Sequence, residues 1–307
     1  MPLPIEETIA DLGNSDNPLL TSKLVDLSNL NLEELRVLEQ AWAVIESKRR
    51  RQIMHRLVEL AEDNFELNFD SIFKNCLKDK EAEVRSKAIE GLWESEDASL
   101  INTLINLLEQ DSSEKVQTAA ATALGKFAML AELKKLRHSY TAKLQEALLA
   151  VLGDKSKPIK VRRRALESTA PLNLPQVQEA IMHAYQSHNA KLKISSIYAM
   201  GKNCNHFWLP MLLKELGSAD AEIRYEAAGA CGELGEEEAT PYLIELINDP
   251  DVDVWFAAIQ ALGKIGDTEA KEFLQQCLNN ASEAIREAAK QALDELEVWG
   301  DPLSFQA

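Results

Sequence analysis

A short pattern recurs seven times along this chain of 307 residues. Its clearest copy spans residues 221–235 and reads Ala-Glu-Ile-Arg-Tyr-Glu-Ala-Ala-Gly-Ala-Cys-Gly-Glu-Leu-Gly. Aligning the copies on the third residue gives seven apolar anchors: Val84, Val116, Val161, Leu192, Ile223, Val254 and Ile285. The last five anchors are each 31 residues apart. A fixed period of about 20 to 50 residues is typical of a solenoid, whose units are too small to bury their own apolar faces.

Each copy of the pattern predicts one α-helix. With the anchor as position zero, small or apolar residues recur at +4, +7 and +8, which lie on one face of a helix. Gly235 and Gly266, at +12, predict helix C-caps because glycine enters the left-handed region at low cost. We call this helix B. Apolar spacing predicts a partner helix, A, before most B helices, near residues 98–109, 139–152, 174–186, 206–217, 237–248 and 267–278.

The predicted fold class is therefore all-α, an α-α superhelix formed as a right-handed solenoid of helix pairs. An arginine follows the anchor at Arg85, Arg162, Arg224 and Arg286. Together with Val/Ile-Arg-x-x-Ala-Ala-x-Ala-Leu-Gly, best kept at 223–232, and the Asp-Pro-Asp turn at 249–251, the pattern resembles the HEAT-repeat superfamily. It is most similar to the short, 31-residue class typified by phycobiliprotein-lyase repeats, and to bacterial HEAT-repeat proteins. The resemblance implies that the arginine bonds turn groups of adjoining repeats.

The repeats are expected to occupy residues 66–297, with a tail at 298–307. Residues 1–65 fit no repeat and are expected to form an irregular segment over 1–20 and two helices that cap the first repeat. A capping box at 31–34 starts the first of these helices. The second covers about 48–63, and its basic opening is interpreted either as a charged helix face or as a contact for an acidic partner.

One spacing between anchors is longer than the rest. Val116 and Val161 are 45 residues apart, and the extra residues lie near 128–140. This segment is interpreted either as one additional short helix or as a lengthened loop. Insertions in solenoids are often used for binding, so its structure bears on function.

Composition excludes some classes of function. A net charge of −17 argues against non-specific nucleic-acid binding, despite a local basic cluster at 155–164. No apolar run approaches the roughly 18 residues of a membrane span, and the N-terminus carries no signal pattern, so a cytoplasmic protein is expected. The four cysteines form no Cys-x-x-Cys pair and are expected to be small core residues. No metal and no cofactor are predicted.

Enzymatic alternatives have to be tested against the motif that each one needs. Deoxyhypusine hydroxylases, which share the repeat, use paired His-Glu dipeptides, and no His-Glu dipeptide occurs here. A bilin-lyase-like or protein-modifying accessory role stays open, since nothing specifies a chromophore or an acceptor. A purely structural assembly subunit is also open. The favoured interpretation is a non-catalytic scaffold for a protein or peptide partner.

The candidate binding residues lie at positions where the copies of the repeat differ in sequence. On helix B, positions +2, +3 and +6 are expected to point away from the core, towards the concave surface. There the fourth to sixth copies place aromatic and apolar residues, and a tryptophan replaces the arginine at +1 in the sixth: Ile194, Tyr198, Tyr225, Trp255 and Phe256. Aromatic residues of this kind are typical interface anchors. Alternatively, Trp255 and Phe256 fill space against the adjacent repeat.

Overall fold

The computed structural model describes residues 5–300 of the chain. Over that range every regular element is a helix and no strand occurs, which confirms the all-α prediction. The chain divides into two compact units, residues 1–130 with 136–147 and residues 131–135 with 148–307. None of the helices in the described range combines the length and apolar character that crossing a bilayer requires.

The first unit contains the helices before the repeats and the first helix pairs. They are α1 (Ile5–Gly13), α2 (Thr21–Val25), α3 (Leu32–Trp42), α4 (Ser47–Asp63), α5 (Asp70–Cys76), α6 (Ala82–Gly91), α7 (Leu100–Gln110) and most of α8 (Glu114–Glu132). Helix α9 (His138–Gly153) is divided, with residues 138–147 in the first unit and the remainder in the second. The predicted A helices at 98–109 and 139–152 are thereby confirmed.

The second unit alternates A and B helices. They are α10 (Ile159–Thr169), α11 (Pro175–Tyr185), α12 (Ala190–Asn203), α13 (Leu209–Glu215), α14 (Ala221–Leu234), α15 (Thr240–Glu245), α16 (Val252–Ile265), α17 (Thr268–Cys277) and α18 (Glu283–Gly300). The B helices are the even-numbered ones, and short 3-10 turns adjoin α13 and α15. Apart from its first three residues, the predicted tail 298–307 lies outside the described residues.

The insertion near 128–140 forms neither a separate short helix nor a long loop. Helix α8 continues through its first part to Glu132 and is 19 residues long, and α9 begins at His138 and is 16 residues long. The inserted segment lacks glycine and proline and is rich in alanine, leucine and lysine. Extending an existing helix with good helix formers is easier than nucleating a new one, which explains the difference from the prediction.

The prediction of an irregular segment over residues 1–20 is wrong for residues 5–13, which form α1. Ile9 and Leu12 lie three residues apart on one helix face and are each only 2% exposed, so this helix forms because it has an apolar face to bury. The capping box before α3 is confirmed. The Asn31 side chain accepts from the backbone N–H of Glu34 at 3.0 Å, and the Glu34 carboxylate accepts from the backbone N–H of Asn31 at 2.9 Å.

The basic opening of α4 is structural. Arg49 and Arg50 are buried, although either a charged helix face or a contact for an acidic partner was expected there. Nε of Arg49 donates to the carbonyl oxygen of Leu12 at 2.6 Å. Nε of Arg50 lies 3.3 Å from the Asp79 carboxylate, which also accepts from Nε1 of Trp42 at 2.7 Å. These bonds fix the N-terminal helices to the turn between α5 and α6, as a cap on the first helix pair requires.

Successive B helices in the second unit touch backbone to backbone. Gly201 on α12 faces Ala230 on α14, and Gly232 on α14 faces Ala261 on α16. In both pairs a Cβ on the glycine would lie 2.7 Å from the Cα of the alanine, which is closer than real Cβ atoms approach. Only glycine permits this contact, so position +9 sets the spacing of the B helices.

The arginine after the anchor bonds turn groups, as the family resemblance implied. Arg224 donates through Nε and Nη2 to both carboxylate oxygens of Asp249, at 2.7 and 2.9 Å, and through Nη1 to the carbonyl oxygen of Ser218 at 2.8 Å. Arg85 makes the same bidentate pair with Asp111 in the first unit. The ladder therefore joins the turn of one repeat to the turn of the next.

Position +12 ends the B helices with a left-handed residue. Gly235 and Gly266 have φ of 74° and 63°, which confirms the predicted C-caps. In the preceding copy the same position is Cys204, with φ 50°. Three of the four cysteines are buried as expected, but Cys204 is exposed because it occupies this cap rather than the helix face.

Candidate functional site

The candidate site lies on the face of the B helices that points away from the A helices in the second unit. Helix α14 shows how the sequence produces this face. Its anchor Ile223, with Ala227 at +4 and Cys231 at +8, is buried against the A-helix side. Positions +2, +6 and +10 fall on the opposite side of a 3.6-residue helix. These positions carry the residues that the repeats do not need for packing.

Two of the predicted residues meet on this face. Tyr198 on α12 and Tyr225 on α14 line the same cavity, and their side chains are 39% and 43% exposed. Exposing these aromatic rings to water is unfavourable. A bound partner that covered them would remove apolar surface from water and so gain binding free energy.

Ile194 does not belong to this surface. It is 4% exposed, so the expectation that it points outwards is wrong. Helix α10 packs against this stretch of α12, where Nε of Arg163 donates to the hydroxyl of Ser195 at 2.8 Å. The neighbouring helix therefore covers a position that the helical period alone places on the outer face.

Trp255 and Phe256 form a ring pair of their own on α16. Their centroids are 6.1 Å apart with the ring planes at 77°, an edge-to-face contact. Both residues are half-buried. Phe256 does not line the cavity of Tyr198 and Tyr225 but lines the next one along the same face. The five predicted residues thus separate into one buried residue, one pair in a groove and one pair beside it.

We call the cavity that contains the two tyrosines the B-face groove. It has a volume of about 180 Å³ and is lined from three successive B helices: Tyr198 and Lys202 of α12; Tyr225, Glu226, Gly229, Ala230 and Glu233 of α14; and Ala257, Gln260, Ala261 and Lys264 of α16. Gly229 forms part of its floor, and a Cβ there would have no neighbour within 4 Å. This glycine leaves space that a side chain would fill.

A charge ladder runs along one side of the B-face groove. Glu233 accepts from Nζ of Lys202 at 2.9 Å and from Nζ of Lys264 at 2.6 Å. The three residues occupy position +10 in successive repeats, so one carboxylate holds two ammonium groups from its two neighbours. These two bonds outweigh burial and hold the pKa of Glu233 below its usual value. Both lysines are thereby engaged within the protein.

Glu226 is the carboxylate in the groove without such a partner. Over the described residues it makes no hydrogen bond and no ion pair. Burial, together with the nearby carboxylates of Glu167 and Glu222, raises its pKa to about 7, while Arg163 and Arg164 act in the opposite direction. The carboxyl group is therefore poised to change charge near neutral pH.

A second cavity follows the first along the same face. It has a volume of about 510 Å³ and is lined by Phe256 of α16 and by residues of α18: Ala284, Glu287, Ala288, Lys290, Gln291, Asp294 and Glu295. Glu287 and Gln291 occupy positions +2 and +6 of the last copy, which are equivalent to Tyr225 and Gly229. We call these two neighbouring cavities, which are lined by residues of α12, α14, α16 and α18, the track.

Another cavity, of about 550 Å³, lies among α9, α10, α11 and α12. Leu149, Leu152 and Leu166 contribute its apolar wall, and Lys155 and Arg162 of the basic cluster lie at its edge. Nε of Arg162 donates to the carbonyl oxygen of Leu152 at 3.3 Å.

No candidate metal site occurs among the described residues. Over residues 5–300 no three histidine, cysteine, aspartate or glutamate side chains cluster in a way that would hold a metal ion. Cys76 and Cys231 are buried thiols with raised pKa values, chiefly because of burial.

Sequence reasoning missed the polar residues of the B-face groove. The Lys-Glu-Lys alternation of Lys202, Glu233 and Lys264 at 31-residue intervals was readable as a ladder. Gly229 is also the one glycine at +6 among the seven copies. The isolation of Glu226 had no sequence signal, because it depends on which neighbours bond one another.

Comparison with known proteins supports the fold. A similar structure is Kap95 in its complex with Nup1, at 12% identity and a TM-score of 0.55 over 98% of this chain and 47% of that chain. Escherichia coli YibA matches at 18% identity, 78% of this chain, 96% of that chain and a TM-score of 0.48. Human deoxyhypusine hydroxylase matches at 16% identity, 95% and 97% coverage and a TM-score of 0.36. No curated protein matched.

At these identities the structural likeness concerns the fold alone, and it agrees with a helical solenoid. The family comparison is more specific. The model of HEAT repeats matches residues 70–150 and 209–294, which together make up more than half of the chain. These ranges contain the turn-bonding arginines Arg85 and Arg224, Gly232 of the two glycines that set the helix spacing, and five of the seven anchors: Val84, Val116, Ile223, Val254 and Ile285. The chain belongs to the HEAT-repeat family.

Proposed function

We propose that this protein is a non-catalytic scaffold that binds an extended peptide segment of a protein partner along the B-helix face of α12, α14, α16 and α18. The observation that carries the proposal is the track of two cavities at equivalent positions in successive repeats. The two exposed tyrosines of this track, Tyr198 and Tyr225, belong to no part of the repeat's packing consensus.

The dimensions of the track suit a short peptide. Neighbouring helices pack about 8–10 Å apart, so four B helices extend over roughly 30 Å. An extended chain rises about 3.3 Å per residue, and roughly nine residues cover this distance. The rings of Tyr198 and Tyr225 provide apolar contact area in the groove, while the ladder of Lys202, Glu233 and Lys264 forms its polar edge. An apolar centre with a polar rim is the usual anatomy of a protein interface.

The HEAT family membership is compatible with this role. Repeat solenoids use extended surfaces of stacked helices for binding. The Kap95 structure of similar fold is itself a complex with another protein, Nup1. That likeness concerns the fold, so the location of the binding surface here rests on the groove residues alone.

Selection from a phage-displayed library of random twelve-residue peptides tests the proposal. Wild-type protein serves as bait, and selected peptides are then titrated against Gly229→Ala and Gly229→Trp. We expect peptides that bind wild type and Gly229→Ala alike and lose at least tenfold in affinity for Gly229→Trp, whose indole fills the groove. If every selected peptide binds Gly229→Trp as well as wild type, the B-face groove is not the binding surface.

A further inference from the structure

We propose that the B-face groove selects a cationic side chain, lysine or arginine, of the bound peptide, and that Glu226 is the carboxylate that pairs with it. The inference rests on the proposed function, because it names the chemistry of the peptide that occupies the groove. It also predicts which partners are excluded, since an acidic residue at the same point would face an unpaired carboxylate.

The geometry around Glu226 favours a ligand cation. Glu226 lines the groove together with Tyr198 and Tyr225, and no cation of the described chain forms an ion pair with it. A half-buried carboxylate without a partner is costly to keep ionised. A cation supplied by a ligand would remove that cost, and the tyrosine rings would contact the aliphatic part of its side chain.

The cations nearest to Glu226 are engaged elsewhere. On α10, Arg164 forms an ion pair with Glu167, and Nε of Arg163 donates to the Ser195 hydroxyl at 2.8 Å. That hydroxyl in turn donates to Glu167 at 2.7 Å. Both arginines lower the pKa of Glu226 from a distance, but neither forms an ion pair with it.

The remaining charged groups around Glu226 come from its own helix and the two flanking B helices. Lys202 of α12 and Lys264 of α16 both bond Glu233 of α14. Glu222 of α14 carries a like charge and raises the pKa of Glu226. No cation of these described elements forms an ion pair with Glu226, so the carboxylate can accept one from a partner's side chain.

The groove already accommodates one ammonium group against an aromatic ring. Nζ of Lys202 lies 5.9 Å from the ring centroid of Tyr198, within the range of a cation–π contact. The Tyr225 ring has no such cation among the described contacts. A peptide lysine or arginine next to Glu226 would place a cation near this second ring.

The charge of the whole track agrees with a basic peptide. Its two cavities are lined by five carboxylates and three ammonium groups: Glu226, Glu233, Glu287, Asp294 and Glu295 against Lys202, Lys264 and Lys290. The net charge of the chain is −17, which also attracts basic partners over longer distances. Charge complementarity of this kind mainly sets partner choice and the rate of association.

The experiment uses synthetic peptides that represent the sequences selected from the phage library. Each lysine or arginine is replaced in turn by norleucine, which keeps the aliphatic chain and removes the charge. Affinities are measured by fluorescence anisotropy for wild type, Glu226→Gln and, as a control of equal charge change, Glu272→Gln on the A helix α17, where the carboxylate is exposed. All measurements are made at pH 6 and pH 8 with peptides that lack histidine.

We expect one peptide cation whose replacement by norleucine weakens binding to wild type and Glu272→Gln at least tenfold. The same replacement should weaken binding to Glu226→Gln less than about threefold. From pH 6 to pH 8 the affinity of wild type should rise about tenfold, because a carboxyl group with a pKa of about 7 goes from about one-tenth to nine-tenths ionised. Glu226→Gln should bind with the same affinity at both pH values.

Several outcomes would overturn the inference. Selected peptides without lysine or arginine, equal affinity of the norleucine peptides, or an equal norleucine penalty in Glu226→Gln would each contradict it. If Glu226→Gln does not fold, the norleucine series and the pH dependence of wild type still decide. Peptides that are neutral yet blocked by Gly229→Trp refute only the cation site, whereas peptides indifferent to Gly229→Trp refute the proposed function itself.

Discussion

Gly232 of α14 and Ala261 of α16 bring two successive B helices into backbone contact, with 2.7 Å between the position of a Cβ on Gly232 and the Cα of Ala261. The same contact recurs one repeat earlier between Gly201 and Ala230. Because the B-face groove is built across these helices, its width depends on the two glycines. The glycines that the repeats share for packing thus set the width of the B-face groove, where the repeats differ in sequence.

Replacing Gly232 by alanine should destabilise the protein. Alanine gains about 1 kcal/mol of helix propensity, but the added methyl group forces α14 and α16 apart at a cost of about 1–3 kcal/mol, so the net loss is up to about 2 kcal/mol. Gly229→Ala, one turn earlier on the same helix, meets open space and should stabilise by about 0.5–1 kcal/mol. Urea unfolding followed by circular dichroism measures both. Equal effects at the two positions would contradict the account of the close contact.

The bidentate pair of Arg224 and Asp249 should show a strong energetic coupling. Both side chains are largely buried, at 13% and 5% exposed, so removing one partner leaves the other charge without its bonds. We expect Arg224→Lys to cost about 1–3 kcal/mol, since an ammonium cannot reproduce the two parallel bonds. A double-mutant cycle with Asp249→Asn should give a coupling above about 1 kcal/mol, and additive losses would count against the ladder.

The same pair contributes to acid sensitivity. The hydrogen bonds from Arg224 hold the pKa of Asp249 below its usual value. The stability from this pair is therefore fully present above the pKa of an unfolded aspartate, about 3.9, and is lost as the pH falls through the lower folded value. The free-energy difference between wild type and Asp249→Asn should accordingly shrink when unfolding is measured below pH 4. A constant difference would contradict this.

Cys204→Gly should stabilise the protein. Cys204 holds the left-handed conformation that Gly235 and Gly266 hold in the next two repeats, and a side chain there costs about 1 kcal/mol. Cys204→Ala keeps the Cβ and should bring no comparable gain. Thermal unfolding of both variants under reducing conditions distinguishes the two causes. If Cys204→Ala stabilises as much as Cys204→Gly, the gain comes from removing the thiol and not from relieving the left-handed backbone strain.

The candidate site was predictable from the sequence only where it depends on helix period. Positions +2 and +6 correctly placed Tyr198 and Tyr225 on the outer face, because one helix suffices to fix that geometry. Ile194 has the same register, yet α10 packs over it, and a contact between two helices has no local sequence signal. The unpaired state of Glu226 requires knowing the bonds of residues on several helices, and so needed the structure.

Ionisation of Glu226 should lower stability at alkaline pH. Its folded pKa of about 7 lies above the unfolded value of about 4.5, so the folded state binds the proton more tightly and the free energy of unfolding falls as the pH rises between these values. Solvent screening reduces the effect for a half-buried group to about 1–2 kcal/mol. The free energy of unfolding of Glu226→Gln, relative to that of wild type, should thus rise by this amount between pH 5 and pH 8. That of Glu272→Gln should not.

Site-specific photo-crosslinking tests the central claim most directly. A benzoylphenylalanine at position 260, in place of the exposed Gln260 of the B-face groove, is compared with one in place of the exposed Gln276 on α17. Each protein is irradiated with a selected peptide, and the adducts are identified by mass spectrometry. The account predicts a peptide adduct at position 260 and none above background at 276. Adducts of equal yield at both positions, or an adduct at 276 alone, would contradict binding along the B-helix face.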